Sequence, residues 1–189
     1  ISDCLVGSEM CIRDRTYVED KVTNTLIYFG VLTTGNYAGA LAYFENYSTL
    51  RDFEQAFEIY QDSFYYQTLF NGETASIKSS NFIKYSPVNY EQDLEGKGRY
   101  LVLTRVKADR SMLTSINKLA PIFSGNGALT YRLGSIISGE NVGNELLAVS
   151  YRSMEQIEKA YDLLAYNSDY DHLVNTVTVN SRNIIKLEF

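Results

Sequence analysis

The chain repeats a pattern of glycine and polar residues after an interval of about 100 positions. Three glycines recur 104 positions on, where Gly30, Gly35 and Gly39 are followed by Gly134, Gly139 and Gly143. Four residues recur 102 positions on, where Ser79, Asn81, Ile83 and Lys84 are followed by Ser181, Asn183, Ile185 and Lys186. Between these sets, Phe53-Glu54-Gln55 matches Met154-Glu155-Gln156 at an interval of 101. The interval varies only between 101 and 104 positions, which predicts a duplicated module. The fold is therefore expected to contain two copies of one module.

The second copy is whole, and its pattern predicts the order βαββαβ. Strands are predicted over residues 100–108, 128–138, 146–152 and 183–188, with an extended stretch at 176–180. One helix is expected to begin near Asp109 or Ser111, and the other at the capping box that Ser153 opens. A polar turn is expected at 167–171. This order is the ferredoxin-like split unit, an antiparallel sheet of strand order 4-1-3-2 with both helices on one face.

The first fifteen residues read as a translated sequencing adapter, because residues 5–14 fit one reading frame of a library primer. Both cysteines, Cys4 and Cys11, lie there, so no disulfide or cysteine metal site is expected in the rest. The first module is therefore expected to span 16–85 and to lack its first strand. Residues 86–98 are interpreted as a linker, and 99–189 as the complete second module.

The way in which the two modules pack is predicted from the uncovered face of each sheet. Helices cover only one face of a ferredoxin-like sheet, and the other face must also be buried. We therefore expect an α+β fold in which the two modules pack sheet to sheet as an internal pseudo-dimer, with the first module truncated at its N-terminus.

Composition limits the partners. The net charge of −6 is spread along the chain, so no electrostatic footprint for nucleic acid is present. No apolar run approaches the roughly 18 residues of a membrane span. We expect a cytoplasmic protein whose partner is a small hydrophobic or aromatic ligand. Tyrosine is abundant at 16 residues and tryptophan is absent, which suits half-buried sheet and helix surfaces.

The glycine pattern, the Ser-Met-Glu-Gln run at 153–156, the Asp-Tyr-Asp-His-Leu run at 169–173 and the Ser-Arg-Asn-Ile run at 181–184 resemble the dimeric α/β-barrel superfamily. This superfamily includes antibiotic-biosynthesis-type monooxygenases and stress-responsive barrel proteins, and the resemblance covers nearly all of 26–188. It implies a pseudo-dimeric α/β barrel. Members include cofactor-free oxygenases, haem binders, lyases and proteins without known activity, so the fold alone carries little functional weight.

His172 is the one histidine of the sequence. The resemblance implies a possible role as acid, base or haem ligand, and Asp169 or Asp171 would orient the ring. The alternative is a surface histidine in a polar turn. A position inside a closed apolar pocket would favour an enzyme or a haem protein, and a surface position would speak against both.

Tyr131, Arg132 and Arg105 lie on neighbouring predicted strands, where a tyrosine and an arginine would bind a phenolate or a carboxylate. The alternative is packing and sheet-surface charge. Gly30 and Gly134 fall inside strands, which favours a bulge over close approach by another backbone or a ligand.

Two functional hypotheses remain. The first is a small-molecule-binding or structural barrel without catalysis. The second is a cofactor-independent monooxygenase-like enzyme for a small aromatic or polyketide-like substrate, with His172 or Tyr131 as base and Arg105 or Arg132 holding an anion. No cofactor or metal is expected, and haem binding through His172 is a third, weaker idea.

Overall fold

A computed structural model describes residues 18–22, 25–62, 78–94 and 97–188. The adapter-like residues 1–15, with both cysteines, lie outside the described residues. The chain forms a mixed α/β fold whose elements are, in order, β1 (Leu26–Leu32), β2 (Leu41–Asn46), α1 (Leu50–Gln61), β3 (Asn81–Ser86), β4 (Tyr100–Ala108), α2 (Leu113–Gly125), β5 (Thr130–Gly139), β6 (Glu145–Tyr151), α3 (Met154–Leu164), α4 (Ser168–Thr176) and β7 (Val177–Glu188).

Seven strands form one sheet in the order β2-β1-β7-β4-β6-β5-β3. The stretch β7-β4-β6-β5 has the order 4-1-3-2 expected for residues 99–189. Register along it is antiparallel, with Val102 opposite Val149 on one side and Ile184 on the other. None of the described helices is long and apolar enough to span a membrane.

Where two separate sheets were expected there is one sheet, because strands from both halves of the sequence are hydrogen-bonded side by side. On β3, Lys84 pairs with Ser135 of β5. At the end of β1, the Thr33 amide donates to the carbonyl of Ile184 on β7 at 2.8 Å. An edge strand exposes a row of unpaired N–H and C=O groups, and pairing with another edge satisfies them. That driving force leaves no trace in the apolar pattern along a strand.

Two compact units divide the chain. Of the described residues, the smaller unit contains 18–22, 25–29, 43–62 and Lys78, and the larger contains 30–42, 79–94 and 97–188. In the smaller unit, Tyr60 and Ala56 of α1 pack with Ile27, Val18 and Val22.

The core of the larger unit lies between its helices and one face of β4, β5 and β6. Alternate residues of β4 face this core, where Val102 and Val106 meet Ile116 of α2 and Ile157 of α3. The period of two along each strand therefore divides the remaining side chains between this face and the opposite one.

Helix boundaries follow from capping. Ser153 caps α3 by accepting a hydrogen bond from the Gln156 amide, as predicted. The expected polar turn at 167–171 is instead the start of α4, because the Asn167 side chain accepts from the Tyr170 amide. Thr49 caps α1 with a capping box to Asp52. Thr49 and Ser153, the two capping residues, are 104 positions apart.

Gly30 and Gly134 mark close contacts between strands, and Gly134 pairs regularly on both sides, without the predicted bulge. A Cβ at Gly134 would overlap the Ile83 side chain on β3, and one at Gly30 would overlap the Lys186 carbonyl oxygen on β7. The bulge of this sheet region lies between Phe82 and Ile83. The predicted hairpin loop between β5 and β6 is confirmed, with positive φ at Gly139 and Gly143.

Candidate functional site

His172 lies on α4 with its side chain exposed. A haem iron ligand needs an apolar cleft around the ring, so the position of His172 does not fit that group. Among the described residues, no group of three or more histidine, cysteine, aspartate or glutamate side chains is placed to hold a metal ion.

Tyr131 is fully buried on the helix side of the sheet. Its hydroxyl donates to the carbonyl oxygen of Ile116 on α2 at 3.0 Å, and its ring packs 4.7 Å from that of Phe123. Burial raises the pKa of Tyr131, and nearby Tyr161 and Tyr90 raise it further. The hydroxyl is therefore a neutral donor at physiological pH and holds the helix to the sheet.

Arg105 and Arg132 share the opposite face of the sheet. Arg105 follows Thr104 on β4, and Arg132 follows Tyr131 on β5, so each points away from the helices. The Arg105 Nε atom is buried without a hydrogen-bond partner among the described residues. The Arg132 guanidinium lies 5.6 Å from the ring centroid of Tyr85. The fold thus brings the two arginines to one face and separates them from Tyr131 and His172.

A second polar group of the larger unit holds its helices to the sheet. Arg182 of β7 donates from Nε to the Thr104 hydroxyl at 3.2 Å and from Nη2 to the Tyr170 hydroxyl at 2.9 Å. Its guanidinium carbon lies 4.6 Å from the ring centroid of Tyr161. These contacts join β4, β7, α3 and α4.

A carboxyl group surrounded by tyrosines lies in the smaller unit, and sequence reasoning missed it. Tyr43, Glu45 and Tyr47 alternate along β2 and share the face that meets α1, which contributes Tyr60. The Tyr43 and Tyr60 hydroxyls are hydrogen-bonded at 3.0 Å. We call these four residues the Glu45 cluster.

Burial and hydrogen bonding act in opposite directions on the carboxyl group. Burial raises the pKa of Glu45 and outweighs the neighbouring hydroxyl groups of Tyr60, Tyr47 and Tyr43, which lower it. Burial likewise raises the pKa of Tyr60 and of Tyr47, and the charge of Glu45 adds to both shifts. The Tyr47 hydroxyl is buried close to Glu45 and Tyr60, but it forms no hydrogen bond of standard geometry. The Glu45 cluster therefore combines a carboxyl that readily holds a proton with neutral phenol donors.

The corresponding positions of the second half are almost wholly apolar. Counting 104 residues from Tyr43, Glu45, Tyr47 and Tyr60 leads to Leu147, Val149, Tyr151 and Leu164. All four are buried in the core of the larger unit. A partly buried carboxylate costs stability unless it is paired, and carboxyl groups with a shifted pKa are candidates for a functional site.

Aromatic side chains of α1 adjoin the cluster. The Phe53 ring meets the Tyr47 ring edge to face at a centroid distance of 5.7 Å, and Phe57 stacks on Phe53 at 6.0 Å. Such surfaces favour flat apolar ligands.

Two shallow clefts lie away from these residues. One, of about 380 Å³, lies between Lys21 and Glu58 of the smaller unit. The other, of about 280 Å³, lies between Arg110 and Glu145 of the larger unit. Both are wide open, and neither is lined by an aromatic ring. We therefore place the candidate site at the Glu45 cluster, where partly buried polar groups converge beside aromatic walls.

The Glu45→Gln variant is expected to melt at a higher temperature than the wild type at pH 7, by a few degrees. A carboxyl whose pKa is raised on folding stabilises the fold below its unfolded pKa, and this stability is lost as pH rises through the folded value. A neutral amide removes the loss. Circular dichroism melts at pH 4 and pH 7 would measure it, with exposed Glu54→Gln as control. An equal gain at both pH values would contradict the prediction.

Comparisons with known proteins concern the fold. The sequence model of a family described as a domain of unknown function (DUF6854) matches residues 98–187, which contain β4 to β7. None of the curated proteins matches the sequence. A candidate monooxygenase from Lactobacillus acidophilus NCFM has a similar structure, with a TM-score of 0.54 and 12% identity over 99% of this chain and 87% of that one.

A second solved structure is similar over nearly the whole chain. It is an anthrone oxidase-like protein, with a TM-score of 0.58 and 11% identity over 97% of this chain and 85% of that one. At such identities the similarity concerns the fold and not the chemistry. Both likenesses show that this chain shares the overall fold of the two solved proteins.

Proposed function

We propose that this protein binds a small aromatic molecule at the Glu45 cluster and is a member of the dimeric α/β-barrel superfamily. The observation that carries the proposal is a partly buried carboxyl group beside three tyrosines, at positions where the other half has a valine among apolar neighbours. Polar groups converging in an apolar surrounding are the usual form of a small-molecule site. Phe53 and Phe57 supply the aromatic surface.

The proposal includes a chain built from two ferredoxin-like modules joined as an internal pseudo-dimer. Matched contacts support it. Gly134 lies against Ile83 and Lys84, whereas Gly30 lies against their counterparts Ile185 and Lys186. A second matched pair sets Gly139 against Asn81 and Gly35 against Asn183. The glycines of each half thus contact the last strand of the other half, as a two-fold relation between the halves requires.

Two variants at matched positions test the binding proposal. Tyr47 and Tyr151 are 104 residues apart, and both hydroxyls are buried without a hydrogen-bond partner among the described residues. We expect Tyr47→Phe to weaken binding of a small aromatic compound about threefold to tenfold, the size of one hydrogen bond. Tyr151→Phe should leave the affinity unchanged.

Intrinsic fluorescence would follow this binding directly, because the sequence has 16 tyrosines and no tryptophan. A panel of phenols and aromatic ketones would first be screened by thermal shift against the full chain. Equal weakening of binding in Tyr47→Phe and Tyr151→Phe would overturn the location of the site. Unchanged binding in both variants would overturn it as well.

The cofactor-independent monooxygenase-like enzyme is the alternative, and its substrate would be a small aromatic or polyketide-like compound. Its fold is supported by the two structural relatives. With His172 exposed and Tyr131 bonded to Ile116, such an enzyme would use other residues as base. Arg105, with its unpartnered Nε, and Arg132 stay candidates for holding an anion on the opposite sheet face.

Replacing His172 by alanine is expected to leave the affinity for an aromatic ligand unchanged, because the side chain is exposed. The free energy of unfolding should change by no more than about 0.5 kcal/mol. A haem titration of the wild type should show no Soret shift. A clear Soret band that disappears in His172→Ala would instead support the haem hypothesis.

A further inference from the structure

We propose that Arg105 binds the carboxylate of a small aromatic acid, on the face of the sheet that points away from the helices. We call the face that carries Arg105, Leu146 and Ala148 the Arg105 face. This site does not involve the Glu45 cluster, since Arg105 lies on β4 in the larger unit. The inference goes beyond the proposed function, because it adds a second binding site, for an anion.

Arg105 carries a positive charge that no described residue balances. Its Nε atom is buried without a hydrogen-bond partner, and none of the salt bridges among the described residues includes it. The guanidinium of arginine keeps its proton in proteins. An ionised group whose nitrogen has lost its water costs free energy until another partner replaces that water. A bound anion would remove this cost, and the buried nitrogen therefore points to a ligand.

The strands of the larger unit supply no counter-ion to this face. Strands β3 to β7 contain two acidic residues, Glu145 and Glu188. The Glu145 carboxylate lies on the helix side, where it accepts a hydrogen bond from the Met112 amide at the start of α2. Glu188 forms a salt bridge with Lys186, and Lys186 pairs with Tyr100, which packs against the helix-side core. Both carboxylates thus belong to the opposite face.

A row of paired residues crosses the sheet from Arg105. Arg105 lies opposite Leu146 of β6, and Leu146 lies opposite Gly134 of β5. The next residue of the row, opposite Gly134, is Tyr85 of β3. Neighbouring strands are about 4.8 Å apart, so Gly134 lies about 10 Å from Arg105. Because Gly134 has no side chain, Tyr85 lies close over it, and a Cβ there would come within 3.1 Å of Cδ1 of Tyr85.

Tyr85 does not balance the charge of an arginine. Burial raises the pKa of Tyr85 and outweighs Arg132, which lowers it, so the hydroxyl is neutral at physiological pH. The Arg132 guanidinium carbon lies 5.6 Å from the ring centroid of Tyr85, and it brings a second positive charge to this end of the row. Positive charge at both ends of the row therefore attracts an anion.

The row suits an aromatic carboxylate. A planar guanidinium binds a carboxylate through two parallel hydrogen bonds, which a lysine cannot do. Leu146 and Ala148 are buried side chains, so they offer apolar surface to the rings of such a ligand. Tyr85 supplies an aromatic edge, and with 39% of its surface exposed it leaves this end of the row accessible from solvent.

Titration with 2-naphthoate would test the inference, with 2-naphthamide as a neutral compound of nearly the same shape. Binding to the full chain is measured by isothermal titration calorimetry. We expect naphthoate to bind more tightly than naphthamide by about tenfold or more, and sodium chloride to weaken only the binding of naphthoate. Arg105→Gln should weaken naphthoate binding about 10- to 100-fold, the size of hydrogen bonds to a charged group.

Arg110→Gln is the matched control, because it removes the same charge from an exposed position after β4. It should bind naphthoate as the wild type does. Equal weakening in Arg105→Gln and Arg110→Gln would overturn the site, since the effect would then be one of net charge. Absence of naphthoate binding to the wild type, or equal affinity for naphthoate and naphthamide, would overturn it as well.

Circular dichroism melts show whether each variant is folded. Should Arg105→Gln not fold, Arg105→Lys decides, because lysine keeps the charge and loses the pair of parallel donors. We expect folded Arg105→Lys to bind naphthoate several-fold more weakly than the wild type. Unchanged naphthoate affinity in that variant would overturn the inference.

Discussion

Gly30→Ala is expected to destabilise the protein by about 3 kcal/mol, the upper part of the range for forcing an extra carbon into a packed site. The added Cβ would overlap the carbonyl oxygen of Lys186 and lie 2.7 Å from Cγ2 of Ile185. A backbone carbonyl in a strand cannot rotate away, so β1 and β7 would have to separate. In Gly134→Ala the added Cβ would overlap the side chains of Ile83 and Tyr85. Side chains can move more easily than a backbone carbonyl, so the loss of stability is expected to be smaller.

Thermal melts of the three proteins would measure the difference. At this chain length, about 3 kcal/mol corresponds to a fall of roughly 6–12 °C in Tm. The matched control is Gly125→Ala at the end of α2, where a Cβ would have no atom within 4 Å. That variant should melt within a degree or two of the wild type. A Gly30→Ala protein as stable as the control would contradict the close contact between β1 and β7.

Two conservative variants in the core of the larger unit are expected to act in opposite directions. Tyr151 is fully buried, and its hydroxyl has no hydrogen-bond partner among the described residues. Tyr151→Phe removes a polar group that lost its water on folding, so a gain of about 1–3 kcal/mol is expected. Tyr131→Phe removes the hydrogen bond to the Ile116 carbonyl and should cost about 0.5–1.5 kcal/mol.

Urea denaturation would measure the change in unfolding free energy for both variants. Tyr151→Phe and Tyr131→Phe are a matched pair because each removes one buried hydroxyl group. Equal slopes of unfolding free energy against urea would show that only stability changed. If both variants lost stability, the Tyr151 hydroxyl would have a partner, for instance a buried water. If both gained, the bond between Tyr131 and α2 would contribute nothing.

Secondary structure was predictable where residues close together in the sequence determine it. The strand at 100–108 was expected from alternation alone and has these bounds. Ser153 was expected to cap α3 and does, because a side-chain oxygen at that position satisfies a free amide. The β5–β6 hairpin followed from glycines that adopt positive φ. Each of these features depends on contacts within a few residues.

Elements that depend on distant partners were harder to predict. The α4 helix was interpreted as a turn, because its polar sequence has only one buried side chain, Leu173. The extended stretch at 176–180 and the last predicted strand are one continuous strand, β7, whose pairing with β4 spans a register shift. Alternation is interrupted at such a shift, so the pattern read as two separate pieces.

At the candidate site, too, features that depend on nearby residues were easier to predict than features that depend on distant partners. Tyr131, Arg132 and Arg105 were considered together because they lie on neighbouring predicted strands, yet a strand sends adjacent residues such as Tyr131 and Arg132 to opposite faces. The Glu45 cluster had a sequence signal, the alternation of Tyr43, Glu45 and Tyr47, with a carboxylate where an apolar residue is expected. Comparison with Val149 at an interval of 104 would have exposed it.

By itself, the sequence determined the strand at 100–108, the cap of α3 and the hairpin between β5 and β6, because these depend on local hydrogen bonds and on side-chain periodicity. Only the tertiary structure decided that strands of the two halves join edge to edge, and that Glu45 lies beside Tyr60. Backbone edges carry the same N–H and C=O groups whatever the side chains are, so their pairing is settled by the whole assembly and not by any one segment.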